Sequence, residues 1–429
     1  MSELTRRTFL ATAAAGVAAF ARADGGKAPA TGADNPDLEP FDKLMAAFIA
    51  ENEVPGASLA VTRNGKLVYA RGFGYADVVK KEAVHPASLF RIASVSKPLT
   101  AVAILQLVEK GKLKLDDKVL DRMKLTPVDN SEGKPDGRWK DITIRQCLQH
   151  TGGWDRDKSY DPIGRPALIA KAFGKKPPAS PEQIVRYMMA RPLDFDPGER
   201  YAYSNLGYLV LGRILETATV GKYEAYLKKE VLAPLGIKRA QLGRALLADR
   251  VKGEVKYYDA KKRTGTGLYP PLLDKDVPIQ YGAANFEGYE AHGGWIASAV
   301  DLVRFASAFD DPAKSPLLNA ESIGAMWARP AGAAGHDMDD KPKASFYGCG
   351  WMVRPVGSAG KVNARHTGWI AGTEAILVRR SDGLTWAVLF NTANNPAGKS
   401  LAGLIDGPIH GAADAVKRWP VADQFPNYL

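Results

Sequence analysis

Cysteine is scarce in this 429-residue sequence: Cys147 and Cys349 are the only two. A chain of this length buries a core large enough to fold without covalent staples. Neither cysteine has a metal-like neighbourhood, so each reads as a buried free thiol rather than half of a disulfide. Histidine is sparse too. His85, His150, His292, His336, His366 and His410 show no His-Glu-x-x-His spacing and no Cys-x-x-Cys accompanies them, so the sequence implies neither a metal nor a cofactor. Long runs of one charge are missing. The formal net charge is +11, but Lys and Arg are scattered among Asp and Glu, with only short groups such as Lys80-Lys81 and Lys261-Lys262-Arg263. A nucleic-acid partner is read from a basic stripe or an aromatic-interleaved patch, and there is none. The positive excess also suits attraction to an anionic cell wall. No internal repeat is present, and no stretch of about 20 strongly apolar residues offers a stable membrane span.

What is there is a globular composition, 45% hydrophobic and 24% charged, far from that of a disordered chain. At the N-terminus Thr5-Arg6-Arg7-Thr8-Phe9-Leu10 precedes a mildly apolar, Ala-rich stretch from Ala11 to Phe20, and Ala21-Arg22-Ala23 supplies a small-x-small cleavage site. This resembles a twin-arginine export signal. The resemblance implies the Tat export machinery as a partner, folding before translocation, and a periplasmic or secreted location. The division expected is a signal over 1–23, a Gly/Pro/Ala/Asp linker over 24–36, and one catalytic domain over 37–429.

Within that domain Phe41, Leu44, Phe48 and Ile49 form one apolar helical stripe, ended by Val54-Pro55-Gly56. Ala57 to Thr62 and Leu67 to Phe73 read as two strands joined through Asn64-Gly65, a strong hairpin signal. Helix and loop signals dominate from about 93 to 285, with Pro/Gly/charged stretches at 126–140, 155–181 and 259–284 expected as loops, the latter two lining the cleft. Strand character returns at Tyr347 to Val353, Lys361 to Thr367, Glu374 to Arg379 and Leu384 to Asn391. The expectation is an α+β fold: one antiparallel sheet built from both chain ends (about 37–92 plus 286–429), flanked by helices, with a mainly helical region (about 93–285) inserted.

Ser94-Val95-Ser96-Lys97 carries the chemistry. Serine needs a nearby base to act as a nucleophile, and a lysine desolvated at the start of a buried helix can be one. The run Leu99 to Val108 is apolar on nearly every side and Gly111 follows as a C-cap. Pro98 is tolerated because the amide it lacks falls in the first turn. Ser131-Glu132-Gly133-Lys134 and Ser358-Ala359-Gly360-Lys361 have the same spacing but read as solvated loops. Tyr203-Ser204-Asn205, between a turn and an apolar run, offers a phenol and an amide to one pocket, though Asn205 equally suits a helix cap. His366-Thr367-Gly368 ends a strand, where glycine lets a ligand approach the backbone. His150-Thr151-Gly152 repeats the tripeptide after a helix-like segment, without strand context.

In this order and on these elements, the three motifs resemble those of the serine beta-lactamase and penicillin-binding-protein superfamily. Phe90 to Lys97, Leu148 to Gly153 and Gly293 to Ser298 resemble its class C beta-lactamase branch, which includes esterases and D-amino-acid peptidases. The resemblance implies Ser94 as the acylated nucleophile, Lys97 as its proton partner, and Tyr203 as general base and then acid. It implies Asn205, His366, Thr367, Gly368 and Trp369 as substrate-binding positions, with the amides of Ser94 and Trp369 forming the oxyanion hole. Where efficient lactamases carry Lys-Thr-Gly, this chain has His366, a side chain mostly neutral at pH 7. The expected activity is therefore hydrolysis of an ester or a D-amino-acid peptide or amide, with peptidoglycan fragments among the candidate substrates. A class C-type beta-lactamase and a non-turnover wall-binding protein are the alternatives.

Overall fold

The computed structural model describes residues 28–128, 134–357 and 360–428. The export-signal segment 1–23, and Ser131 and Ser358 of the two other Ser-x-x-Lys matches, lie outside them. Helix α1 (Glu39–Glu51) buries Phe41, Met45, Phe48 and Ile49, so Met45 takes the stripe position assigned to Leu44. Strands β1 (Gly56–Arg63) and β2 (Lys66–Asp77) follow as a hairpin. Its turn residues Asn64 and Gly65 both have positive φ, at 50° and 75°, the backbone that a tight two-residue hairpin demands.

Helix α2 (Ser96–Glu109) comes next, buried on nearly every side, with Gly111 at φ 66° just past its end. Helices α3 (Asn205–Thr219) and α4 (Ala299–Ser307) lie further along. The late strands are β3 (Phe346–Tyr347), β4 (Met352–Val356), β5 (Lys361–Ile370), β6 (Thr373–Arg379) and β7 (Leu384–Phe390), before helix α5 (Leu401–Ala415). The sheet runs β2-β1-β7-β6-β5-β4-β3, every pair antiparallel. Pairing of β7 with β1, Trp386 opposite Val61 and Val388 opposite Leu59, joins the two chain ends.

Both faces of the sheet are covered. Leu59, Val61, Ile376, Trp386 and Val388 pack on α1 and α5, while Ala60, Leu377, Ala387 and Leu389 join the larger core with α2, α3 and α4. Central strands buried on both sides read as continuous apolar runs, and every residue of β6 and β7 is indeed buried.

Three boundaries differ from expectation. The strand expected over Tyr347 to Val353 is two strands, because Gly350 turns at φ 84° against α2, where a Cβ would stand 2.7 Å from Ala101 Cβ. Within the segment expected as a linker over 24–36, Ala30–Thr31 pairs with the edge of β2 at Gly72 and Phe73. Ser94 lies just outside α2, in a 3-10 turn over Ala93–Val95. Among the described residues no helix is long and apolar enough to cross a membrane, and Cys147 and Cys349 are buried free thiols.

Candidate active site

Ser94 is presented by a strained turn. Ala93 before it sits at φ 48°, left-handed for a residue with a Cβ, a conformation that costs about 1–3 kcal/mol and gathers at functional sites. The bond from Ile92 N–H to Trp295 O, 3.0 Å, ties the turn's entry to the strand Trp295–Ala297. One turn later Lys97 is fully buried, and burial pushes its pKa well below the ordinary lysine value; Asp161 opposes that shift and Arg156 adds to it. Lys97 Nζ has three neighbours: Asn205 Oδ1 at 2.8 Å, the His292 carbonyl at 2.8 Å and Ser94 Oγ at 3.1 Å. The first two can only accept, so they fix two N–H directions. In the neutral amine the remaining direction holds the lone pair, and it faces the serine hydroxyl. That is the geometry of a general base.

Ser204 is the cap of α3, its Oγ accepting from Gly207 N–H at 3.4 Å. Asn205 is thereby released from the capping role that its sequence position allowed. Its Oδ1 meets Lys97, and its Nδ2 donates to Asp161 Oδ2 at 2.6 Å. At Tyr203 charge and burial oppose each other. Ser94 beside the phenol and Arg156 over its ring at 4.7 Å both favour the phenolate, but burial outweighs them and pushes the pKa up. Tyr203 therefore rests as a protonated phenol.

Strand β5 closes the site. Its residues Lys361 to Arg365 pair with β4, whereas His366 to Ile370 have a partner only on the β6 side, leaving an open edge beside the Ser94 turn. Gly368 makes this approach feasible: a Cβ there would stand 2.2 Å from Ile92 O and 3.1 Å from Ser94 N. His366 is not a free cation. Nδ1 lies 2.6 Å from Thr367 O and Nε2 lies 2.8 Å from Tyr347 Oη, and burial pushes its pKa down to about 3. Thr367 and Trp369 line the mouth, Trp369 half exposed with its indole donating to Asn394 Oδ1 at 3.1 Å. The cavity between these elements measures about 470 Å³ and takes in Ser94, Tyr203, Thr367 and Trp369.

Residues 41–406 match the family described as Beta-lactamase. The chain belongs to the beta-lactamase family. Protein flp of Staphylococcus aureus (strain N315) is 31% identical over 256 residues, which are 60% of this chain and 48% of that protein, so the match spans about half the length of that relative. A penicillin-binding protein homologue from Pyrococcus abyssi, described as octameric, superposes with a TM-score of 0.62 at 25% identity, covering 87% of this chain and 78% of that one. D-amino acid amidase from Ochrobactrum anthropi SV3 gives a TM-score of 0.66 at 21% identity, covering 89% and 99%, a likeness of fold. The fold is that of the serine hydrolases among the beta-lactamases and penicillin-binding proteins.

Within this beta-lactamase-family frame, the sequence motifs left several residues of the site unnamed. Arg156 and Asp161 come from the segment 155–181, which does reach the site; Arg156 lines the cavity. The segment 259–284 supplies none of this cavity's lining; there the Gln280 main-chain carbonyl accepts from the buried Arg91 guanidinium at 2.7 Å. Tyr347 lines the cavity through β3. His150 packs its ring 4.3 Å from Tyr203 and 4.3 Å from Tyr347. The duplicated His-Thr-Gly tripeptide is its signal in the sequence, without strand context at this copy.

Proposed function

We propose that the protein is an exported serine hydrolase that works through an acyl-Ser94 intermediate on an ester or a D-amino-acid peptide or amide, peptidoglycan fragments included. The observation that carries this reading is the Lys97 amine, desolvated, with two N–H directions fixed on carbonyl oxygens and the third position on Ser94 Oγ. In acylation Lys97 Nζ takes the Ser94 proton as Oγ bonds to the substrate carbonyl carbon. The developing oxyanion is assigned to the amides of Ser94 and Trp369. As the tetrahedral adduct collapses, the leaving group takes the Tyr203 phenolic proton and Lys97 returns its own to Tyr203. Water then attacks the acyl carbon by the reverse proton path and restores Ser94 Oγ–H.

Ester or D-amino-acid amide is favoured over beta-lactam turnover because the strand-edge position holds a neutral imidazole with both nitrogens occupied. A permanent cation there would meet a substrate carboxylate; here the cations lining the cavity are Arg156 and Arg365, the latter paired with Asp406. The test is intact-protein mass spectrometry after exposure to a fluorophosphonate and to a penicillin, beside p-nitrophenyl ester turnover. Labelling and turnover are expected in the wild type and absent in Ser94→Ala, with Lys97→Ala lower by about 10²–10⁴-fold. Rapid steady-state penicillin hydrolysis would instead make it a true lactamase. Folded protein with no adduct and no turnover would make it a wall-binding module.

A further inference from the structure

The Asn205 amide faces Lys97 through oxygen rather than nitrogen, and something must set that choice, since the two ends of an amide have nearly the same shape. Turned the other way, Nδ2 would point at an amine whose N–H groups need acceptors. The group on the far side of the amide is Asp161, an acceptor whose Oδ2 takes Asn205 Nδ2–H at 2.6 Å. A carboxylate accepts only, so it draws the nitrogen to itself and leaves Oδ1 for Lys97 Nζ.

Asp161 is itself held. It starts the 3-10 turn Pro162–Gly164, where Oδ1 accepts from Ile163 N–H at 3.3 Å and so leaves Oδ2 free for Asn205. Upstream, Asp194 Oδ2 accepts from Asp155 N–H at 2.8 Å and from Ser159 Oγ at 3.0 Å, and Arg200 pairs with Asp155 at 2.8 Å. The segment carrying Asp161 is thus pinned before it reaches the site. Asp161 does not line the substrate cavity.

We infer that Asp161 is a positioning residue, its carboxylate fixing the Asn205 amide so that Asn205 Oδ1 aligns the Lys97 amine on Ser94. This deepens the serine-hydrolase reading and rests on it. The same carboxyl group, whose own pKa burial raises, is one of two charged groups acting on Lys97. It raises the lysine's pKa while Arg156 lowers it. The other groups around the amine are the phenols of Tyr203 and Tyr208 and the buried neutral rings of His150, His292 and His366.

Two variants separate geometry from charge. Asp161→Ala frees the amide and is expected to lower kcat for a p-nitrophenyl ester by about 10²-fold, with KM within about twofold, the size of loss that small misplacements cause. Asp161→Asn keeps the size and an acceptor, so part of the rate returns. It removes the charge, so the Lys97 pKa falls further and the acidic limb of the kcat/KM profile moves to lower pH. Either a folded Asp161→Ala at the full wild-type rate or an Asp161→Asn profile with an unmoved acidic limb overturns the assignment. Asp161→Asn decides alone where Asp161→Ala does not fold. Wild type that takes no fluorophosphonate label overturns the hydrolase reading and this inference with it. A labelled wild type beside an unimpaired Asp161→Ala overturns only the role of Asp161.

Discussion

The tripeptide His-Thr-Gly occurs twice, and both histidine rings end beside Tyr203, with centroids 4.3 Å away for His150 and 6.5 Å for His366. They get there by different backbones. His150 stands at φ 58° just after the short helix Ile144–Leu148, and its carbonyl accepts from Ala202 N–H at 2.9 Å. His366 lies in β5 at the start of the open edge. They also require opposite tautomers. His150 Nδ1 accepts from Ser204 N–H at 3.2 Å, so its proton is on Nε2. His366 Nδ1 faces a carbonyl, which can only accept, so its proton is on Nδ1 and Nε2 accepts from Tyr347 Oη–H. One copy holds the Tyr203-Ser204 backbone in place, and the other shapes the strand edge that lines the cavity. Identical residues thus serve scaffold and cleft, and local backbone decides which.

The glycines provide the strongest way to break the comparison. A Cβ at Gly368 meets backbone, Ile92 O at 2.2 Å, next to Ser94; a Cβ at Gly152 meets a side chain, the Trp154 ring at 2.6 Å. Backbone at the strained turn cannot yield without moving Ser94, so Gly368→Ala is expected to lower kcat by 10²-fold or more. Gly152→Ala should act on stability first, through overpacking of about 1–3 kcal/mol, with activity falling less than tenfold. Ester kinetics and thermal melts on the two variants check this, and equal losses of kcat would show that the copies are not functionally distinct.

Much of this was legible in the sequence, and what was missed has a common cause. Ser94, Lys97, Tyr203, Asn205 and the 366–369 edge are brought together in space, and the period-2 and period-3.6 patterns placed most of the elements that carry them. Arg156 and Asp161 had no signal, because a charged residue in a Pro/Gly-rich loop has no periodicity to report which way it faces. The protonation state of Tyr203 was also beyond reach. It depends on how much burial surrounds one oxygen, which is decided by α2, α3 and β3 together. His150 was visible as a repeat, but its role needed a ring position that only the tertiary fold supplies.

Protonation offers a middle-sized test of what the two copies share. Burial pushes His150 well below its ordinary value of 6.5 and His366 down to about 3, and His292 is pushed well below as well. At these three rings the unfolded chain binds more protons than the native state from about pH 6.5 downward, so their contribution to stability rises with pH through this window and is lost on acidification, opposed by the buried carboxyls of Glu374 and Asp310, pushed up to about 7 and about 6. Each such histidine contributes roughly 1.4 kcal/mol per pH unit where only the unfolded form is protonated. Chemical denaturation at pH 5 and pH 7 of wild type, His150→Gln and His366→Gln should isolate the histidine share, each variant removing about a third of the slope that these three rings carry. A slope unchanged in both variants would mean that these rings are not neutral in the native state.

Tyr347 gives the finest resolution, because it touches both copies through different parts of one side chain. Its ring packs 4.3 Å from the His150 ring, while its hydroxyl is the donor to His366 Nε2 at 2.8 Å. Tyr347→Phe keeps the ring and removes only the donor, leaving one buried acceptor unpaired, a loss of about 1–3 kcal/mol. In double-mutant cycles measured by denaturation, Tyr347→Phe should couple to His366→Ala by about 0.5–2 kcal/mol, because removing the imidazole removes the orphaned acceptor. Coupling to His150→Ala should be near zero, since the contact they share survives the phenylalanine. Comparable coupling to both histidines would mean that Tyr347 binds the two tripeptides into one unit, and that the division between scaffold copy and cleft copy is not energetic.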